Sequence, residues 1–144
     1  MVKTIYKFAF KDVKNPDSTY SAFGDETLRA RYFSAALRKA TDGIDAIDRK
    51  YNSEVIDFDS ITSSNGFPDP SNLVVRAVKS DVRSALVVAS FGKGKERASV
   101  AYHFVKAGEA WRIDDISSAP GASGNAGWSL RAIYDDALAM APKD

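Results

Sequence analysis

Two adjacent carboxylates, Asp114 and Asp115, are the side chains of this sequence best suited to acid–base chemistry. In a regularly alternating strand, Asp115 shares a face with Trp111 and Ile113. A carboxylate beside apolar side chains holds its proton more readily than one in water, which suits a general acid or base. The pattern therefore makes Asp115 a candidate catalytic residue.

Tyr102 is the second candidate catalytic residue, because its hydroxyl could be presented into a cavity and hydrogen-bond to a ligand. The enzyme hypothesis requires Asp115 and Tyr102 to converge on one cavity. The alternative, which we favour, is structural: a local bulge puts both aspartates at the strand end, where they bind backbone amides or pair with Arg131. Bonds of that kind from Asp115 would remove it from the enzyme hypothesis.

Asp57 and Asp59 form a second acidic pair, two apart on a predicted strand over 55–59. Such a pair could act as an acid and a base or hold a divalent cation, but a calcium-type ion needs more oxygen ligands. Aspartates beside a turn more often cap it or lie at a solvated edge, which is the interpretation we favour. The candidate ligand-binding residues are Tyr102, Trp111, Asp115, Asp57 and Asp59.

His103 is the only histidine. Alternation places it on the opposite face from Tyr102 and Phe104, where we expect it to be exposed. A lone histidine cannot build a multi-histidine metal site, and no serine lies in a nucleophile-elbow motif. We therefore predict no metal and no cofactor.

The composition is that of one globular domain, 1–144. Twenty Lys and Arg against nineteen Asp and Glu leave a net charge of +1, which does not favour nucleic acid. There is no cysteine, which excludes disulfides and thiolate chemistry. No apolar stretch is long enough to span a bilayer. The first ten residues lack the apolar core of a signal peptide, so we expect an exported form of the protein to have lost its signal.

Hydrophobic spacing places helices first, strands next and a helix last. One helix face is predicted at steps of three and four by Phe33, Leu37, Ala40, Ile44, Ile47 and Tyr51. Gly43 could divide this helix into two. A basic, solvated side is predicted for it by Arg29, Arg31, Arg38 and Lys39.

The segment from Glu54 to Ser118 is predicted to be β, with short hairpin connections, and Ser129 could cap a closing helix. The fold class is therefore α+β: amino-terminal helices packed on a curved antiparallel sheet of four to five strands, with a short carboxy-terminal helix. The concave side of such a sheet could form a ligand pocket.

Four stretches carry a resemblance to a known family: ARYFSAALRKA, VIDFDSITSSNG, AWRIDDI and SLRAIYDDAL. In this order they resemble an uncharacterised bacterial domain family, often carried by exported proteins and lipoproteins, within the nuclear transport factor 2-like, or cystatin-like, superfold. The resemblance implies a periplasmic or otherwise exported protein. It also implies homodimerisation through the open sheet face, which is common in that superfold.

Two function classes follow. The preferred one is a non-enzymatic binding or accessory protein of the bacterial envelope, whose pocket takes a small apolar or amphipathic ligand or whose sheet takes a protein partner. The alternative is an isomerase- or dehydratase-like enzyme that uses Asp115 as its acid–base group.

Overall fold

In the described part of the chain, four strands follow one another in chain order and form one antiparallel sheet. The computed structural model describes residues 1–11, 26–58, 60–61, 63, 71–119 and 127–143. The helices are α1 (Val2–Lys11), α2 (Glu26–Tyr32), α3 (Ala35–Tyr51) and α4 (Leu130–Met140). The strands are β1 (Val74–Ser80), β2 (Ser84–Phe91), β3 (Ala98–Ala107) and β4 (Ala110–Ser118), with a short 3-10 helix (Gly94–Glu96) before β3. The predicted α+β class, the antiparallel sheet and the closing helix are confirmed.

The predicted amphipathic helix divides in two, but not at Gly43. The break falls at Ser34, whose backbone is extended and whose Oγ accepts a hydrogen bond from the amide of Leu37 at 3.0 Å. Gly43 lies inside α3, where an added Cβ would come within 2.9 Å of Leu138 Cδ2 on α4. Gly43 therefore allows α3 and α4 to approach closely, and the helix break comes from a serine cap.

The strand predicted over 55–59 is wrong for its described part, because residues 53–58 lie in no strand. The Asp48 carboxylate near the end of α3 accepts hydrogen bonds from Ser53 Oγ (3.0 Å) and the amide of Val55 (3.2 Å). Asn52 adopts a left-handed backbone with φ of 49° and ends the helix. These local bonds hold the outgoing chain against α3, and the first described strand begins at Val74.

The two faces of the sheet differ in burial. The helix-facing side is filled with core side chains, and Tyr6 of α1 packs its ring against Phe91 at 5.4 Å and Tyr102 at 6.2 Å. The residues that alternate with these form what we call the outer face: Val74, Arg76, Leu86, Val88, Ala101, His103 and Ser117. His103 is exposed there, as predicted. Within the described residues, no helix is long and apolar enough to cross a membrane.

Candidate functional site: the RIDD segment of β4

The two aspartates lie at a bulge in β4, and the bulge changes which way Asp115 faces. Phe104 pairs with Ile113 and His103 pairs with Asp115, so Asp114 is an extra residue in β4. Because paired residues share a face, Asp115 belongs with His103 on the outer face. The prediction that it shares a face with Trp111 and Ile113 is wrong, since an inserted residue reverses the alternation. We call residues 112–115 the RIDD segment.

Asp115 caps helix α4. Its Oδ1 accepts hydrogen bonds from the amides of Arg131 (2.9 Å) and Ile116 (2.8 Å), and its Oδ2 accepts one from Ser129 Oγ (2.7 Å). Ser129 is itself the N-cap residue of α4, because its Oγ accepts from the amide of Ala132 at 3.1 Å. The carboxylate therefore lies at the positive end of the helix dipole and satisfies amides that the helix leaves unpaired.

Asp114 makes the equivalent bond to helix α3. Ser34 Oγ, the N-cap of α3, donates to Asp114 Oδ1 at 2.7 Å. The amide of Ser34 donates to the carbonyl oxygen of Ile113 at 2.7 Å, which fixes the start of α3 against β4. Arg131 Nη1 also reaches Asp114 Oδ1 at 3.3 Å and forms an ion pair. One aspartate thus contacts the first turns of both helices.

Arg112 binds a helix end of the opposite polarity, the C-terminal end of α2. Its Nη1 donates to the carbonyl oxygens of Arg31 and Ala30 at the end of α2. A guanidinium suits the negative end of a helix, where carbonyl groups lack partners. The RIDD segment therefore binds the end of α2 through a cation and the starts of α3 and α4 through anions.

The edge of β4 that is not paired with β3 also forms backbone bridges with residues that precede α3 and α4. Phe33 forms a parallel bridge with Ile113, and Ser129 forms an antiparallel bridge with Ser117. The amide of Ser118 donates to the carbonyl of Trp128 at 2.9 Å. The edge is thus covered on both sides of the bulge.

Tyr102 lies on the other side of the sheet from Asp115. It is paired with Ile116, has no exposed surface, and donates from its hydroxyl to Tyr6 Oη at 3.1 Å. Tyr6 in turn donates to the carbonyl oxygen of Ile61 at 2.7 Å. The side chains of Asp115 and Tyr102 therefore do not converge, because one belongs to a helix cap and the other to the core.

Trp111 and Asp57, the other described candidate residues, have surroundings that differ from those of Asp115 and Tyr102. Trp111 is half-buried, with Lys106 Nζ 5.6 Å from the centre of its ring. Asp57 is exposed, and Asp59 lies outside the described residues. His103 Nε2 shares a hydrogen bond with Ser117 Oγ at 2.9 Å on the outer face.

Sequence reasoning missed a partly buried ion pair between α2 and α3. Arg29, assigned above to a solvated side, is 9% exposed, and its Nη1 lies 2.6 Å from Asp45 Oδ2. Burial raises the pKa of nearby Tyr134 to about 12; the negative charge of Asp45 adds to this rise and the positive charge of Arg29 opposes it. The available signal was that Arg29 precedes Tyr32 by three residues and so belongs to the buried side of α2.

Comparisons with known proteins identify no relative: no family model matches the chain, and no curated protein or solved structure matches it. The resemblance to the nuclear transport factor 2-like superfold therefore stays a prediction.

Proposed function

We propose that this protein is a non-enzymatic binding or accessory protein, in which the RIDD segment holds three helices on the sheet. The observation that carries the proposal is the engagement of both carboxylates with helix N-termini. Each oxygen of Asp115 accepts at least one hydrogen bond from within the chain. Acid–base work on a substrate would compete with those bonds.

The cost of that competition favours binding over catalysis. Hydrogen bonds to charged groups contribute about 1.5 to 3 kcal/mol each. Redirecting Asp115 toward a substrate proton would loosen Ser129 and the first turn of α4 together. The capping role of Asp115 therefore favours a binding or accessory protein over an enzyme.

The sheet itself is the better binding surface. On the helix-facing side Tyr102, Ile113 and Ile116 are fully buried, whereas several outer-face side chains are half-buried or exposed. This favours a protein partner on the sheet over a small ligand beneath the helices. Location in the bacterial envelope is proposed from the family resemblance alone.

The proposal is tested by an Asp115→Asn variant, with Asp57→Asn as the matched control on an exposed carboxylate. We expect Asp115→Asn to lose about 1 to 2 kcal/mol of unfolding free energy, since a capping charge is removed. Asp57→Asn should be close to neutral. Urea unfolding measures both changes.

The same variants separate the enzyme alternative. We expect neither the wild type nor Asp115→Asn to isomerise a β,γ-unsaturated ketone, followed by the absorption of the conjugated product. Unchanged stability together with an isomerase activity that is lost in Asp115→Asn would overturn the proposal.

A further inference from the structure

Positive charge is concentrated in residues 71–97, which form β1, β2 and their connections and do not include the RIDD segment. Residues 71–97 hold six of the twenty Lys and Arg but two of the nineteen Asp and Glu, a net charge of +4. The rest of the chain sums to −3. The basic residues, all exposed, are Arg76, Lys79, Arg83, Lys93, Lys95 and Arg97.

Asp81, in the β1–β2 turn, offsets part of this charge, because its carboxylate interacts with Lys79. Asp81 accepts hydrogen bonds from the amides of Arg83 (2.8 Å) and Ser84 (2.9 Å) and from Ser84 Oγ (3.1 Å). Its oxygens are thus committed to the turn. The net charge of +4 already counts Asp81, so the exposed basic side chains of this region outnumber its carboxylates and favour an anionic partner.

Exposed apolar side chains are concentrated in the same place. Val74 is 54% exposed, Val78 is 52% exposed and Val82 is 83% exposed. They supply three of the six large hydrophobic side chains that are exposed among the described residues. We call residues 74–83, which carry these valines and Arg76, Lys79 and Arg83, the basic edge.

The backbone of β1 has hydrogen-bonding capacity on its outer side. Among the described strands β1 pairs with β2 alone. The register shifts between Ala77 and Lys79, so regular pairing is available mainly over 74–77. An edge strand of this kind can accept a further extended chain.

We propose that the basic edge binds an acidic, extended segment of a partner protein, which adds to β1 as a fifth strand. This inference rests on the proposed binding function and names the class of partner. Arg76 lies on the outer face and Val75 and Ala77 lie on the opposite face, so they match a partner strand that alternates acidic and apolar residues, with the acidic side chains beside Arg76. Lys79 and Arg83 extend the positive charge beyond the bulge.

Two other occupants fit less well. An anionic membrane would match the charge, but hydrocarbon supplies no hydrogen bonds to a strand edge, and valine is too short to anchor deeply. A second copy of this chain would bring two basic edges together, and like charges that face each other across strands destabilise the pair. An acidic extended segment supplies negative charge to the basic side chains and hydrogen bonds to the backbone of β1.

The test is fluorescence anisotropy with a labelled peptide of four Val-Glu repeats and, as the peptide control, four Val-Lys repeats. We expect the acidic peptide to bind and the basic peptide not to bind. The double substitution Arg76→Glu and Lys79→Glu should weaken binding at least tenfold. The matched control, Lys3→Glu and Arg49→Glu, makes the same change in net charge at exposed residues of α1 and α3 and should bind as the wild type does.

Backbone pairing is tested separately with N-methylated valines in the acidic peptide, which keep the charge and remove donors. We expect binding to fall at least tenfold and the unmodified peptide to slow amide exchange over 74–77. Equal binding of both acidic peptides would overturn strand addition.

Three other outcomes would also overturn the inference: no binding of the acidic peptide, binding only to phosphatidylglycerol vesicles, or a dimer that the double substitution dissociates. None of them bears on the stability of Asp115→Asn, so failure here is distinguishable from failure of the proposed function.

Discussion

The two edges of the sheet are built in opposite ways. Beside β4, Phe33 and Ser129 add backbone bridges, and the RIDD segment binds the ends of three helices. Beside β1, no described strand or helix adds a comparable set of bonds, and a bulge near Val78 interrupts the register. The β4 edge therefore stabilises the fold, whereas the β1 edge is the one available to a partner.

Charge follows the same division. At β4 each charge is placed against a helix end of opposite polarity, so its partner is internal. At β1 the charges of Arg76 and Lys79 lie on exposed side chains. Changes at β4 should therefore affect stability, whereas changes at β1 should affect binding.

The largest expected effect comes from removing both aspartates of the RIDD segment. Asp114→Ala with Asp115→Ala should cost about 2 to 4 kcal/mol of unfolding free energy, because two helix N-termini lose their anchors. The control is Asp135→Ala with Asp136→Ala, the same dipeptide exposed on α4. Equal losses of unfolding free energy in the two double variants, measured by urea unfolding, would show that the aspartates of β4 stabilise the fold no more than an exposed pair does.

The next effect tests whether packing, beyond capping, holds α3 against α4. Gly43→Val should cost about 1 to 3 kcal/mol, because its side chain would meet Leu138. Ala46→Val, on the exposed side of α3, controls for the lower helix propensity of valine. Adding Leu138→Ala should recover part of the loss, and a strictly additive double variant in thermal unfolding would contradict this close approach.

A third effect appears at alkaline pH in the helix layer. The pKa of Tyr134 is raised to about 12, so the unfolded chain loses this proton before the folded one does. Stability is therefore fully present below pH 10 and decreases as the pH rises toward 12, by about 2 kcal/mol at pH 12.

The difference in 295 nm absorption between wild type and Tyr134→Phe isolates this group among six tyrosines. A midpoint near 10 would show that Tyr134 is solvated and that the helix layer is looser than described.

The smallest effect is at the β1–β2 turn. Bonds from the amides of Arg83 and Ser84 lower the pKa of Asp81. The stability that the ionised Asp81 carboxylate contributes is therefore present at pH values above the ordinary aspartate pKa. It is lost as the pH falls through the lowered pKa of the folded state. We expect Asp81→Asn to speed amide exchange within the hairpin while changing the melting temperature less than Asp115→Asn does. A larger global loss than that of Asp115→Asn would reverse the comparison of the two edges.

Sequence periodicity predicted the element order well, because hydrophobic spacing reports burial directly. The helix stripe through Leu37, Ala40 and Ile44 is buried, and the four described strands all lie within the segment from Glu54 to Ser118 that was predicted to be β.

The role of the RIDD segment could not be predicted in the same way. Asp114 contacts Ser34 across 80 residues of chain, and the bulge that permits this contact breaks the alternation on which the prediction of Asp115 depended. The strand predicted over 55–59 is absent from its described part, 55–58, where the Asp48 carboxylate instead binds the backbone of Val55.

The most direct test of the account is amide exchange in single variants of the two aspartates. Asp115→Ala should speed exchange of Arg131, whose amide it binds, and leave Leu37 in α3 unchanged. Asp114→Ala should speed exchange of Leu37, because it frees the serine cap of α3. Unchanged exchange at both helix starts in both variants would contradict the claim that these carboxylates anchor the helices.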